Sequence, residues 1–190
     1  MSQTSDSDRL LMPISEHDRT QGTIDASVVL VEYGDYQCLS CSEVHRMIQE
    51  IQQQIQLCFV FRHFPRIHLH PQAQKAAEAA EAAAAQNKFW QMHNLLFANQ
   101  SAIDDSYLLE CANQIQLDIA RFLRDMTDHI HTERVTQNIQ GGIQSGVIST
   151  PALFVNGVRY RDAWDTQRLL AAILYENGYA NASARNSESI

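Results

Sequence analysis

No stretch of this 190-residue chain is apolar for long enough to cross a bilayer. Positive charge is not in excess either: 14 Lys and Arg stand against 22 Asp and Glu, for a net charge of -8. That balance argues against nucleic acid and against an anionic membrane surface as partners. The opening Met1-Ser2-Gln3-Thr4-Ser5-Asp6-Ser7-Asp8 has neither a basic start nor an apolar stretch, so no secretory leader is visible as written and a cytoplasmic protein is expected. There is no internal repeat, and no low-complexity segment beyond a run of alanines. Cysteine is scarce, with four in the chain, and no second Cys-x-x-Cys is present to complete a four-cysteine metal site.

What is present is enough to bury a core. Hydrophobic residues make up 45% of the chain, and its length fits one domain or one domain with a sizeable insertion. Two cysteines are paired in sequence as Cys38-Leu39-Ser40-Cys41. Such a pair can close a small disulfide ring or grip a metal, and its surroundings decide between those uses. Here it follows the strand-like run Val28-Val29-Leu30-Val31-Glu32-Tyr33 and precedes a helical pattern of Val44, Met47, Ile48, Ile51 and Ile55. A thiol at the start of a helix meets free N–H groups and the positive end of the helix dipole, which favours the thiolate and hence redox chemistry. Cys58, in the apolar run Leu57-Cys58-Phe59-Val60-Phe61, and Cys111, on one helix face with Leu108, Ala112 and Ile115, read as small core residues.

The organisation changes along the chain. Residues 1–24 are polar, with Leu10-Leu11-Met12-Pro13-Ile14 as a candidate short edge strand. Residues 25–70 read as strand, helix, strand, a parallel crossover unit. Residues 71–146 read as a helical block opened by His70-Pro71 and the alanines from Ala73 to Ala85. In 147–178, Ala152-Leu153-Phe154-Val155 and Val158-Arg159-Tyr160 flank Asn156-Gly157, the strongest short hairpin signal. A last helix from near Asp165 to a Gly178 stop is expected to bury Leu169, Leu170, Ile173 and Leu174, and 179–190 reads as a frayed tail.

Several segments together carry a family resemblance. Val31-Glu32-Tyr33-Gly34-Asp35-Tyr36-Gln37-Cys38-Leu39-Ser40-Cys41 resembles the strand-to-active-site segment of DsbA-like thiol–disulfide oxidoreductases. Phe61-Arg62-His63-Phe64-Pro65, Phe89-Trp90-Gln91-Met92-His93 and Gly146-Val147-Ile148-Ser149-Thr150-Pro151-Ala152 resemble later stretches of the same family. The likeness runs from about residue 10 to residue 175 and is nearest the soluble domains that are sometimes fused to sodium/proton antiporters. It implies an α/β thioredoxin fold with an inserted all-helical domain. It also implies exchange of dithiols and disulfides with protein substrates, no bound cofactor or metal, an unidentified redox recycling partner, and a monomer.

The resemblance assigns Cys38 as the nucleophile and Cys41 as the resolving thiol. It places Glu32 as a buried acid beneath the pair, able to exchange a proton with Cys41. Pro151 falls at the family's cis-proline, where Thr150 would offer backbone groups to an extended substrate, with Leu39 and Ser40 also in contact. The family usually has proline after its first active-site cysteine, and Leu39-Ser40 supplies no positive charge to a thiolate, so a strongly oxidising character is not implied. Two other readings use the same residues. One is a zinc-stabilised binding module built from Cys38, Cys41 and His45 with His68 and His70. The other is a relative of the kappa-type glutathione transferases. His63, His93, His129 and His131 read as surface or loop residues, His93 being also a candidate for a hydrogen bond within the helical block.

Overall fold

Two strands with every or nearly every residue inside, β2 (Val29–Gly34) and β3 (Cys58–His63), form the parallel centre of the sheet. The structure is a computed structural model and describes residues 9–23 and 25–175. The central strands are joined by helix α1 (Leu39–Gln52), which buries Cys41, Val44, Met47, Ile48 and Ile51 as its apolar spacing requires. Strand β1 (Arg19–Gln21) runs antiparallel along β3, and β4 (Ala152–Val155) runs antiparallel along β2. Strand β5 (Val158–Arg159) completes the order β1-β3-β2-β4-β5. Its hairpin with β4 turns at Asn156 and Gly157, whose φ angles of 46° and 80° are the paired left-handed values that a tight hairpin needs.

Between β3 and β4 the chain is helical. It forms α2 (Ala73–Ala84), α3 (Phe89–Ala98), a 3₁₀ turn (Gln100–Ala102), α4 (Asp105–Gln114), α5 (Ile119–Thr127) and α6 (Thr132–Gln144). Ala76, Ala79, Ala80, Ala82 and Ala83 are wholly buried, so α2 lies close against its neighbours. Asp104 and Asp118 cap α4 and α5 by accepting from the N–H groups of Tyr107 and Arg121. The last helix, α7, is described over 166–175. The sheet separates two apolar clusters. Leu30, Phe59, Phe61, Leu153 and Val155 face α1 and α7, whereas Val31, Tyr33, Val60 and Phe154 pack with Ile139 of α6.

Several details differ from the expectation. The segment 10–14 pairs only at its start, beside the bridge from Arg9 to Val158 of β5, where the Leu10 N–H reaches the Gly157 carbonyl at 2.9 Å; the rest is irregular, with Leu11 and Met12 exposed. The carbonyls of Met12 and Pro13 turn instead to the guanidinium of buried Arg62, which also holds both carboxylate oxygens of Asp18 at 2.8 and 2.9 Å and the Tyr33 hydroxyl at 3.0 Å. Helix α7 buries Leu169 and Ile173, but Leu170 is only partly covered and Leu174 is exposed, a narrower apolar stripe. Gly178, the tail 179–190 and residues 1–8 lie outside the described residues.

His63 and His93 are core residues, not surface ones. Burial of His63 is made possible by Glu81 of α2, whose carboxylate accepts from its Nε2 at 2.9 Å and also pairs with Arg19 of β1. Burial acts to raise the Glu81 carboxyl, but the hydrogen bonds from His63 and Arg19 overcome it and hold the group at about 2. One acid on the helical block thus ties two strands. His129 and His131 are on the loop and helix margin, the first half-exposed or more and bonded to Glu78.

Because Arg62 is enclosed, Asp18→Ala leaves an uncompensated buried cation. It is expected to cost about 3 kcal/mol or more, as a broken buried pair does. The unfolding midpoint in urea, compared with that of the parent chain, measures it.

Candidate active site

The turn that leads from β2 into α1 is built from its own polar groups and from those of the helical block. The Asp35 side chain accepts from the N–H of Gln37 at 2.8 Å, and the Asp35 carbonyl accepts from the N–H of Cys38 at 3.1 Å. This is the local turn chemistry that aspartate favours. Cys38 then takes the N-cap position with extended backbone (φ -80°, ψ 117°), and no side chain caps the helix. Its carbonyl accepts from the N–H of Cys41 and of Ser42, and from the Gln100 side chain at 2.8 Å. Gln100 reaches the Tyr36 carbonyl as well, also at 2.8 Å, so one amide from the helical block holds both sides of the turn. On the far side the Thr150-Pro151 peptide bond is cis, and the Thr150 carbonyl lies 3.5 Å from the Cys38 sulfur.

All four cysteines are free thiols. Hydrogen bonding from the Cys41 thiol lowers the Cys38 thiol most, helped by Thr150 and the Cys41 N–H and opposed by burial and the Asp35 charge, and the result is about 6. Cys41, fully buried, moves the other way. Burial pushes its thiol up well above the ordinary value, and giving its hydrogen to Cys38 and facing the charges of Glu32 and Cys38 push it further. Two thiols one helical turn apart therefore differ in kind: Cys38 is readily a thiolate, and Cys41 holds its proton.

Glu32 is 0% exposed, and neither carboxyl oxygen has a hydrogen-bond partner among the described residues. Strand alternation puts it with Leu30 on the α1 face, between Leu153 on β4 and Phe61 on β3 in register. Burial raises its carboxyl well above the ordinary range, and the Cys38 charge adds to this. Room for it comes from Gly34: a Cβ there would meet the Phe61 ring at 2.4 Å and Glu32 Oε1 at 3.1 Å. Leu39 is 75% exposed beside Cys38, and Ile148 is 82% exposed two residues before Thr150. Ser40 is partly covered. A groove of about 640 Å³ begins at Leu39 and continues past Glu43, Arg46, Phe97 and Gln100.

The remaining histidines do not gather around the cysteines. His45 stacks on Phe97 with ring centroids 4.8 Å apart, and its ring lies 4.9 Å from that of His93. His93 Nδ1 is bonded to the Tyr36 hydroxyl at 2.9 Å. Burial, with the Arg46 charge, depresses His45 to about 4, and burial with the neighbouring histidines takes His93 well below the ordinary value. Both rings are neutral members of an aromatic cluster under the turn. Among the described residues no three His, Cys, Asp or Glu side chains converge as metal ligands. His70 donates from Nδ1 to Asp35 at 2.7 Å, and the N–H of Arg66 joins it at 2.8 Å. Sequence reasoning selected neither Asp35 nor Gln100. Asp35 had a signal in its place just before the cysteine turn; Gln100 had none.

The family described as Thioredoxin matches residues 15–174. The chain belongs to the thioredoxin family and has DsbA-like architecture. Curated relatives include Na(+)/H(+) antiporter NhaA 3 of Salinispora tropica, 36% identical over 178 residues, covering 93% of this chain and 27% of that protein. Another is Na(+)/H(+) antiporter NhaA 1 of Mycolicibacterium gilvum, 39% identical over 170 residues, with coverage of 87% and 28%. The chain thus spans about a quarter of the length of these relatives. Among solved structures, Wolbachia pipientis alpha-DsbA1 superposes with a TM-score of 0.79 at 20% identity, covering 95% of this chain and all of that one. Bacillus subtilis BdbD (oxidised) follows at 0.76 and 21%, covering 85% and 93%. At these identities the solved structures establish the fold, and the family supports thiol–disulfide oxidoreductase chemistry in general.

With Cys38 near 6 and Cys41 held protonated, iodoacetamide is expected to modify Cys38 alone in the native reduced chain. Its rate should climb as pH rises through about 6 and level off above it. Peptide mass spectrometry of timed aliquots reads both site and midpoint; modification shared equally with Cys41 would contradict it.

Proposed function

We propose that this chain is a protein thiol–disulfide oxidoreductase in which Cys38 attacks and Cys41 resolves. The observation that carries the reading is a cysteine at the helix start, 3.5 Å from the Thr150 carbonyl, with a second and fully buried cysteine one turn on, an arrangement that displaces the two thiols in opposite directions. In the reductive direction the Cys38 thiolate attacks one sulfur of a substrate disulfide. A Cys38–substrate disulfide forms, the substrate S–S bond breaks, and the other substrate sulfur leaves as a thiolate. Cys41 gives up its proton and attacks Cys38, forming the internal disulfide and releasing the second substrate thiolate. Two electrons pass to the substrate, and the oxidative direction reverses each step.

Glu32 fits the proton step. Burial and the Cys38 thiolate hold the acid protonated; once the mixed disulfide removes that charge, Glu32 gives up its proton to solvent more readily, and the carboxylate so formed can accept the proton of Cys41. Thr150, followed by Pro151, offers an extended substrate a backbone acceptor beside the sulfur. Leu39, with Ser40 and the groove that starts there, gives the flanking residues of the substrate a surface. Because Leu39-Ser40 brings no cation to the thiolate, the centre sits at a milder poise than a strongly oxidising one. A cytoplasmic monomer returned to its working state by a separate redox partner completes the proposal.

Cys41→Ser should accumulate mixed disulfides through Cys38 when exposed to disulfide-bonded proteins, seen as thiol-sensitive adducts on non-reducing gels. Cys38→Ala should abolish both adducts and insulin reduction; retention of insulin reduction would sink the reading. Glu32→Gln should leave alkylation of Cys38 in place while slowing release of substrate from the mixed disulfide by roughly a hundredfold or more, the usual scale of a lost proton-transfer group. Stopped-flow measurement of single turnovers separates the two steps.

A further inference from the structure

Asp35 and His70 take no part in the exchange steps, yet they touch the turn that presents Cys38. The Asp35 side chain is 0% exposed and receives three hydrogens, from the N–H groups of Gln37 and Arg66 and from His70 Nδ1. A carboxylate only accepts, so His70 Nδ1 carries a hydrogen whichever charge the ring bears. The His70 side chain is 25% exposed, so it closes the outer side of the buried acid. The same Asp35 residue holds the Cys38 N–H through its carbonyl.

Gln37 and Arg66 bond the Asp35 carboxylate through their backbones, and His70 does so with its side chain. His70 is therefore the ring that decides whether the buried Asp35 charge is balanced. Asp35 in turn is the charge that opposes a thiolate at Cys38.

We propose that His70 is a positioning residue for the exchange centre: its bond from Nδ1 holds the buried Asp35 carboxylate and offsets the charge that would otherwise oppose a thiolate at Cys38. The inference rests on Cys38 being the attacking thiol.

The test is the pH dependence of Cys38 alkylation in the full reduced chain, compared for the parent, His70→Gln, Asp35→Asn and the double variant. The Gln and Asn side chains keep hydrogen-bonding groups while removing the charge. His70→Gln should raise the thiolate midpoint and Asp35→Asn should lower it, each by about half a unit, or roughly threefold in the thiolate-to-thiol ratio. The double variant should match Asp35→Asn, because without the acid the ring has no charge to balance. A merely structural clamp would move both single variants in the same direction or neither, and either result overturns the inference. Should His70→Gln fail to fold, as judged by its melting curve, His70→Asn provides the same comparison. A parent chain whose Cys38 shows no enhanced reactivity would fail the exchange reading itself, and is thereby distinguished.

Discussion

The turn from Gly34 to Cys38 must leave a fully buried strand and start a helix without a side-chain cap. Its backbone donors and acceptors are met by Asp35, by the first N–H groups of α1 and by Gln100. Because those groups are already satisfied, the Cys38 sulfur is left at the helix start, where N–H groups and the dipole favour negative charge. The geometry of the thiol follows from the need to close the turn. A looser turn would move the sulfur away from the Thr150 carbonyl and from Cys41 together.

Beneath the turn, packing and electrostatics oppose one another. Glu32 lies in a site that buries it completely and, among the described residues, provides no hydrogen-bond donor, which is costly for a carboxylate and tolerable for a protonated acid. Gly34 is what makes the space, since any side chain there would press on Phe61 and on the acid. The helical block supplies the rest of the enclosure. Tyr36 reaches His93, His45 stacks on Phe97, and Glu81 anchors α2 to both Arg19 and His63. The helices between β3 and β4 are thus part of the wall of the site as well as a cover on the sheet.

Much of this was legible in sequence because it is periodic or local. The apolar spacing of α1, the buried runs of β2 and β3, and the Asn156-Gly157 hairpin follow from patterns a few residues long. The apolar segment Leu10 to Ile14 pairs with the sheet edge only through Leu10, because the carbonyls of Met12 and Pro13 are taken by Arg62, a cation 50 and 49 residues away that needs acceptors. His63 and His93 read as surface residues because a lone histidine is usually exposed. Each is buried by a partner that sequence distance conceals, Glu81 for one and Tyr36 for the other.

The residue order by itself determined that two thiols stand one helical turn apart at the exit of a buried strand, with an acid six positions upstream. Those relations lie within a single crossover unit, where chain geometry leaves little freedom. Only the tertiary structure decided what the thiols become. Cys38 is lowered by Cys41 and Thr150, and Cys41 is raised by enclosure and by Glu32. Asp35 is placed under the ring of His70, 35 residues along the chain. Desolvation and Coulomb interactions depend on distance in space, and the folded chain alone sets those distances.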